Sequence, residues 1–256
     1  MAQTDERLGA PGGDLGGAAA SGIGTLYGIG AGPGDPELLT LKGYRLLRAC
    51  PVIAYPKKRM GSRSYALDIV EAYVNPEEKT MLGLVFPMTR DPDVLRREWD
   101  HTAQLLLEHL LAGRDVAFVT EGDPLLYSTF IHMARVLHEH APEVQTVAIP
   151  GVSSVNGGAA RLGLPLADGD EVVAIVPATG DMERMKAAIE GHDCVVFLKV
   201  AKVLDRMIHL LETMDLLGQA RVISRATSGE EEIWEDVRAL RGAKLNYLTL
   251  MVVRRR

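Results

Sequence analysis

The sequence predicts an α/β protein made of two α/β domains with largely parallel sheets. Short apolar runs alternate with stretches of helical periodicity from Thr25 onward, and the segment PGVSS after Ile149 has the composition of a hinge. The predicted parts are a disordered tail at 1–24, an N-terminal α/β domain at 25–149 and a C-terminal α/β domain at 150–256.

In the N-terminal half, apolar runs bounded by turn residues predict strands, and apolar residues at helical spacing predict helices. The most regular helical pattern covers 96–113, where a glycine ends the run of leucines. The predicted strands lie at 25–30, 52–55, 115–120 and 146–150, and the predicted helices at 36–49, 96–113 and 125–140.

The C-terminal half repeats the same alternation. The helix at 153–164 carries small residues that allow close packing, and the one at 202–214 is amphipathic. The predicted strands lie at 171–177, 194–200, 220–226 and 247–253, and the predicted helices at 153–164, 182–190 and 202–214.

Composition and charge exclude several classes of function. A net charge of −6 argues against a nucleic-acid-binding protein. Apolar runs are too short to cross a bilayer, and the N-terminal segment lacks the basic start and apolar stretch of a signal peptide. Cys50 and Cys194 lie in apolar contexts, which favours buried free thiols and a cytoplasmic protein.

The glycine-rich loop from Gly28 to Pro36 follows a predicted strand and precedes a predicted helix. It fails the dinucleotide pattern in both registers, and it does not match a phosphate-binding P-loop. Gly28, Gly30 and Gly32 do fit the G-x-G-x-G turn of common methyltransferases, but Tyr27 replaces the acid that those enzymes carry. The loop by itself leaves a ligand-binding role and a purely structural turn equally open.

Four sequence segments, taken together in this order, favour the ligand-binding role. They are GAGPGDPELLTLKG at 30–43, EGDPLLYS at 121–128, PGVSS at 150–154 and FLKV at 197–200. Together they resemble the tetrapyrrole (corrin/porphyrin) methyltransferase family of cobalamin and sirohaem synthesis, and the resemblance extends from Thr25 to Arg254. Within that family, the stretches LVFPMTRD and YLTLMVV make the chain most similar to the precorrin-2 C20-methyltransferases.

The resemblance implies a fold, an activity and a mode of assembly. The family fold has two α/β domains with an interdomain trough that holds S-adenosyl-L-methionine, and its members are usually homodimers. The implied activity is transfer of a methyl group to carbon 20 of precorrin-2 or cobalt-precorrin-2, in cobalamin biosynthesis. Direct displacement at the sulfonium requires no protein-bound metal.

The resemblance also implies which residues contact the donor. These residues are Pro33, Glu121, Gly122, Asp123, Leu126, Ser153, Ser154, Leu198 and Ala226. Leu198 stands where the family often has methionine, a change that keeps a similar apolar volume. Structural alternatives remain: Asp123 or Ser153 could cap the helix that follows it, and the leucines could belong to the core.

Candidate residues for the acceptor and for proton transfer follow from the chemistry of the implied reaction. Tyr127 and Glu121 are candidates for a catalytic base that removes the proton from the methylated carbon. The acceptor carries many carboxylates, so its site should be cationic. The candidates are Lys57, Lys58, Arg59, Arg63 and Arg90, with an ordinary solvated face as the alternative.

The sequence leaves several other functions open. A relative with the same fold could methylate another tetrapyrrole position, as in uroporphyrinogen III, or act on RNA or a protein side chain. The net negative charge of the protein argues against an RNA substrate. A nicotinamide-dependent dehydrogenase is disfavoured by the failed glycine pattern and by the lack of a ribose-binding acid after the second strand. A non-catalytic binding module is the remaining alternative.

Overall fold

The computed structural model describes residues 22–59, 61–86 and 91–255. The chain forms two units that divide between Ser153 and Ser154, whereas the sequence placed this boundary between 149 and 150. Residues 1–21 of the predicted tail lie outside the described residues. Ile23 packs against the core of the first unit, and the Gly24 amide donates to the Leu110 carbonyl oxygen at 2.7 Å. The folded part therefore includes residues that were assigned to the tail.

The first unit is an α/β layer structure. Its strands are β1 Leu26–Gly30, β2 Val52–Lys57, β3 Thr80–Val85, β4 Val116–Thr120 and β5 Thr146–Ile149, and its helices are α1 Leu41–Ala49, α2 Tyr65–Val70, α3 Pro92–Leu110 and α4 Thr129–His140. The five strands are all parallel, in the order β3-β2-β4-β1-β5. The carboxyl ends of these strands therefore lie at one edge of the sheet.

Apolar side chains cover both faces of this parallel sheet. Phe118 of β4 packs with Phe130 of α4 and with the leucines of α3, whereas the next residue, Val119, packs with Leu47 of α1 on the opposite face. Every residue of β4 is buried. A strand that is covered by helices on both faces has a continuous run of apolar residues, and this run predicted β4 from the sequence.

The second unit contains a mixed sheet. Its strands are β6 Val173–Pro177, β7 Cys194–Leu198, β8 Ala220–Ser224, β9 Glu232–Trp234 and β10 Thr249–Arg254, and its helices are α5 Ser154–Leu162, α6 Met182–Gly191 and α7 Leu204–Thr213. The order is β6-β7-β10-β8-β9. Only β6 and β7 pair in parallel among these neighbours, and the other pairs are antiparallel.

The prediction of largely parallel sheets is therefore correct for the first unit and wrong for the second. The last strand, β10, enters between β7 and β8 and runs opposite to both. Five of its residues, from Thr249 to Val253, are buried. A run that is apolar on both faces does not reveal the direction of the strand.

Two helices begin later than predicted because side chains cap them. Thr40 accepts a hydrogen bond from the Gly43 amide at 3.1 Å, so α1 begins at Leu41 and the preceding residues form a 3₁₀ turn. Ser128 accepts from the Phe130 amide at 3.1 Å and caps α4. Both hydroxyls satisfy amides that have no partner within the helix.

Three short elements were not predicted: α2, β3 and β9. Helix α2 spans only 6 residues and β9 only 3, too few for periodicity to show. Strand β3 lies at the sheet edge, and Gly83 interrupts its apolar run. Among the described residues, the helices lack the length and apolar character that a membrane-spanning segment needs.

Candidate active site

Three of the four motif segments meet at one edge of the first unit's sheet. The neighbouring parallel strands β1, β4 and β5 end there, so the loops at 31–36, 121–128 and 150–153 start side by side. The Gly122 amide donates to the Gly32 carbonyl oxygen at 2.7 Å, and the Gly32 amide donates back to the Gly122 carbonyl oxygen at 3.3 Å. Open α/β sheets bind ligands at this edge.

Asp123 links two of these loops. Its Oδ1 accepts a hydrogen bond from the Leu125 amide at 2.9 Å, and its Oδ2 accepts from the Gly151 amide at 3.1 Å. The alternative that Asp123 caps the following helix is wrong, because Ser128 caps α4. Both carboxylate oxygens orient main chain at the edge where the motif segments meet.

Close packing of the main chain explains two of the motif glycines. A Cβ added to Gly151 would lie 2.2 Å from the Gly122 carbonyl oxygen, and one added to Gly30 would lie 2.6 Å from the same atom. The obstructing atom belongs to the backbone and cannot rotate away. The loops approach this closely only because glycine occupies both positions.

Tyr65 supports the glycine-rich loop and was missed by the sequence analysis. Its hydroxyl donates to the Pro33 carbonyl oxygen at 3.0 Å. Tyr65 begins α2, which Ser64 caps by accepting from the Leu67 amide at 3.4 Å. The serine directly before the apolar residues of α2 is the signal that could have revealed this helix.

The two candidate catalytic residues lie in the loop after β4. Tyr127 has a positive φ of 55° and its side chain is 49% exposed, whereas Leu126 is half-buried and Glu121 is exposed. The buried hydroxyls of Thr120 and Ser128 are 2.9 Å apart and join the strand end to the start of α4. A left-handed backbone at a bulky residue is a form of strain that is common at functional sites.

The first basic candidate, Lys57, lies in strand β2, which extends two residues beyond the strand predicted at 52–55. Strand β2 extends through Pro56 and Lys57, because both pair with β3. Lys57 is half-buried, and its Nζ lies 5.3 Å from the centroid of the Tyr55 ring. The strand ends at the same sheet edge as the motif loops, but the Lys57 side chain lies back over Gly83, the partner of Tyr55 in β3.

The other basic candidates follow β2. Lys58 and Arg59 are exposed. Arg63 is also exposed, and its guanidinium lies 3.3 Å from the carboxylate of Asp68. The Asp68 carboxylate reduces the positive field of Arg63. This ion pair agrees with the alternative that Arg63 belongs to an ordinary solvated face. Arg90 lies outside the described residues.

Two predicted donor-binding residues lie at one edge of the second unit's sheet. Strands β7 and β8 both pair antiparallel with β10, so they run in the same direction and end at the same edge. Leu198 is the last residue of β7 and is half-buried, and Ala226 follows β8 and is 5% exposed. The structure therefore places two residues that are distant in sequence at the same sheet edge, with the start of β10 between their strands.

The two predicted serines surround the start of α5. Ser153 is buried and precedes the helix, and Ser154 is its first residue and is half-buried. Helix α5 packs closely on the second sheet, since a Cβ at Gly158 would lie 3.2 Å from Leu250. Small residues on this face allow that approach, as the sequence predicted.

The cysteines have structural positions. Cys50 and Cys194 are free and buried, and burial, with the nearby Asp115 charge, raises the pKa of the Cys50 thiol to about 12. A thiol with such a pKa stays protonated and unreactive at neutral pH. In the described part of the chain, no group of three or more histidine, cysteine or acidic side chains has a geometry that could hold a metal ion.

Solved structures show which fold this chain has. The fold matches a cobalt precorrin-4 methyltransferase with a TM-score of 0.68 and 22% identity, over 90% of this chain and 94% of that chain. It also matches the uroporphyrin-III C-methyltransferase of Thermus thermophilus complexed with S-adenyl homocysteine, with a TM-score of 0.65 and 23% identity, over 90% of this chain and 97% of that chain. The fold is that of the tetrapyrrole methyltransferases.

Sequence comparison identifies the family. The profile of the Tetrapyrrole (Corrin/Porphyrin) Methylases matches residues 25–240, so the chain belongs to this family of S-adenosylmethionine-dependent methyltransferases. A probable cobalt-precorrin-2 C(20)-methyltransferase of Methanocaldococcus jannaschii is 34% identical over 81% of this chain and 85% of its own length. The cobalt-precorrin-2 C(20)-methyltransferase of Salmonella typhimurium is 33% identical over 82% and 87%, and the precorrin-2 C(20)-methyltransferase of a Sinorhizobium species is 33% identical over 80% and 85%.

These findings confirm the predicted family, fold class and enzyme class. The nicotinamide-dependent dehydrogenase alternative is not favoured. The assignments of individual site residues stay predictions and are argued as proposals below.

Proposed function

We propose that this enzyme transfers a methyl group from S-adenosylmethionine to carbon 20 of precorrin-2 or cobalt-precorrin-2. The observation that carries the proposal is the similarity, over most of both chains, to relatives that are named for this reaction. Their names include both the metal-free and the cobalt-containing acceptor. Cobalt is therefore treated as part of the acceptor and not as a metal held by the protein.

The proposed donor site consists of the strand-end loops. Gly32, Gly122 and Gly151 carry no side chain that would keep a ligand away from the main chain of these loops. Leu126 and Leu198 add half-buried apolar surface, which suits the adenosine and the carbon chain of the donor. The contacting residues that we propose are Pro33, Glu121, Gly122, Asp123, Leu126, Ser153, Ser154, Leu198 and Ala226.

When bound, the donor supplies an electrophilic methyl group on a sulfonium. The residues of the chain need to hold the acceptor carbon in line with that methyl and exclude water. A carbon–carbon bond forms as the sulfur–carbon bond breaks, and the proton on carbon 20 must then leave. We propose Tyr127 or Glu121 as the acceptor of this proton, because both lie in the loop that carries the donor motif.

The proposed acceptor site uses the cations at the end of β2 and in the loop beyond it. The acceptor is a polycarboxylate, and a chain of net charge −6 must attract it through a local positive field. Lys57, Lys58 and Arg59 supply most of that field, Arg63 adds less because it pairs with Asp68, and Arg90 is included in the proposal on sequence grounds alone.

Replacing Lys57, Lys58 and Arg59 together by alanine is expected to weaken acceptor binding about three- to a hundredfold, at roughly 0.2–1 kcal/mol for each contact. Donor binding should stay unchanged, and the penalty should shrink as salt rises. The measurement is KM for the acceptor at two salt concentrations. A variant that lacks Arg96, Arg97 and Lys186, on α3 and α6, loses the same charge and serves as the control. An equal rise in KM in both variants would show that the β2 cations act only through the overall charge of the protein and form no acceptor site.

Product mass tests the choice of acceptor. The enzyme is incubated with S-adenosylmethionine and, separately, with precorrin-2, cobalt-precorrin-2 and uroporphyrinogen III. We expect a product heavier by one methyl group with precorrin-2 or its cobalt form, and none with uroporphyrinogen III. Methylation of uroporphyrinogen III alone would show that the chain acts at another tetrapyrrole position.

We further propose that the enzyme is cytoplasmic and homodimeric. The two free buried thiols support a reducing compartment. The homodimer rests on the resemblance to the family, and light scattering of the purified chain measures it.

A further inference from the structure

The carboxyl edge of the second sheet carries unusual backbone conformations. Lys199 directly follows β7 with φ 60°, and Arg225 and Thr227 follow β8 with φ 49° and 68°. Leu198 and Ala226, the proposed donor contacts, are the direct neighbours of these residues. Strain of this kind collects at functional sites when the surrounding structure holds it in place.

Lys199 occupies a position that suits glycine. Its φ and ψ of 60° and 31° lie in the left-handed region, where a Cβ is unfavourable. A lysine at this point costs stability that a glycine would not, so a use for its side chain offers a reason to keep it. The fixed backbone also determines the direction in which the side chain leaves the strand end.

The ammonium group of Lys199 lies beside an aromatic ring. Its Nζ is 5.7 Å from the centroid of Tyr247, which is 37% exposed and lies shortly before β10. A cation held over a ring face is oriented without losing its charge. Lys199 is half-buried, which reduces the screening of that charge by water.

The neighbouring cation is arranged differently. The guanidinium of Arg225 forms an ion pair with Glu230, which reduces its field toward a bound anion. Lys199 and Arg225 thus share the sheet edge and the left-handed backbone; Arg225 pairs with Glu230, and Lys199 contacts the Tyr247 ring.

We propose that Lys199 binds a carboxylate of the tetrapyrrole acceptor and helps to set its position relative to the donor. This inference rests on the proposed function. Methyl transfer requires the acceptor carbon to lie next to the methyl group of the donor. A cation that directly follows the proposed donor contact Leu198 is therefore close to the periphery of the acceptor, where its carboxylates are. Charge-assisted hydrogen bonding favours such a pair.

The test uses Lys199→Gly, because glycine relieves the backbone strain while removing the charge. We expect its Tm to match the wild type or exceed it slightly, and S-adenosylhomocysteine affinity to stay the same. KM for precorrin-2 should rise about tenfold at low salt and less at high salt. Lys199→Arg should restore most of the affinity. Lys202→Ala, which removes an exposed cation from the following turn, is the matched control and should leave KM unchanged.

The outcomes separate this inference from the proposed function. If the wild type methylates precorrin-2 and Lys199→Gly keeps the wild-type KM, or loses donor affinity, the inference is wrong and the proposed function stands. If the wild type methylates no tetrapyrrole, the proposed function is wrong. Fluorescence quenching of uroporphyrin, a polycarboxylate tetrapyrrole, then still tests Lys199: weaker binding by the glycine variant supports the inference, and equal binding overturns it.

Discussion

Gly151→Ala is expected to abolish binding of S-adenosylhomocysteine and to lower the free energy of unfolding by about 3 kcal/mol. The new Cβ would lie 2.2 Å from the Gly122 carbonyl oxygen and 2.7 Å from Gly30, both backbone contacts. The loops after β1, β4 and β5 would have to separate, and these loops make up the first unit's part of the proposed donor site. Titration calorimetry measures the affinity, and chemical denaturation measures the stability.

Gly191→Ala is the control for this experiment. Gly191 ends α6, and a Cβ added there would meet nothing within 4 Å. Alanine should leave donor binding unchanged and stabilise the fold by about 0.4–1 kcal/mol, because it restricts the unfolded chain. If Gly151→Ala behaves like this control, the close approach of the three loops does not limit donor binding.

Asp123→Asn is expected to weaken S-adenosylhomocysteine binding about ten- to a hundredfold, at roughly 1–3 kcal/mol for a main-chain amide that loses its hydrogen-bond acceptor. The carboxylate accepts from the amides of Leu125 and Gly151, one on each oxygen. An asparagine side chain has only one acceptor atom, so its NH₂ group would face one of the two amide donors. Calorimetry with S-adenosylhomocysteine checks this result.

Asp181→Asn supplies a matched control. Asp181 caps α6 through a single oxygen, which accepts from the Arg184 amide at 3.1 Å. Asparagine caps helices about as well as aspartate, so this change should affect neither stability nor donor binding. Normal donor affinity in Asp123→Asn would mean that the contact between the loops after β4 and β5 is dispensable.

The sequence predicted what depends on local patterns. Buried strands such as β4 and β7 were found because parallel or central strands are apolar along their whole length. The direction of β10 was not predictable, since its apolar run would look the same in either orientation. Helix α2 was missed because it is short, and with it the hydrogen bond from Tyr65 to Pro33.

The site was predictable as a set of motifs but not as a geometry. The sequence left two roles open for Asp123, and only the structure shows that its partner is Gly151, in a different loop. The glycine-rich loop was open between a structural and a ligand-binding role. A Cβ added to Gly30 would lie 2.6 Å from the Gly122 carbonyl oxygen, which establishes the structural role, and the family match supports the ligand-binding role. Lys199 lies in the FLKV segment, but its left-handed backbone was not predictable, because a lysine gives no sign of that conformation.

The central claim is methyl transfer to carbon 20, and the position of an isotopic label tests it most directly. The enzyme is incubated with S-adenosylmethionine that carries a ¹³C-labelled methyl group and with precorrin-2 or its cobalt form, and the product is analysed by NMR. The account predicts one new labelled methyl signal, coupled to the meso carbon at position 20. A label at any other ring position, or label that stays on the donor while precorrin-2 is unchanged, would contradict it.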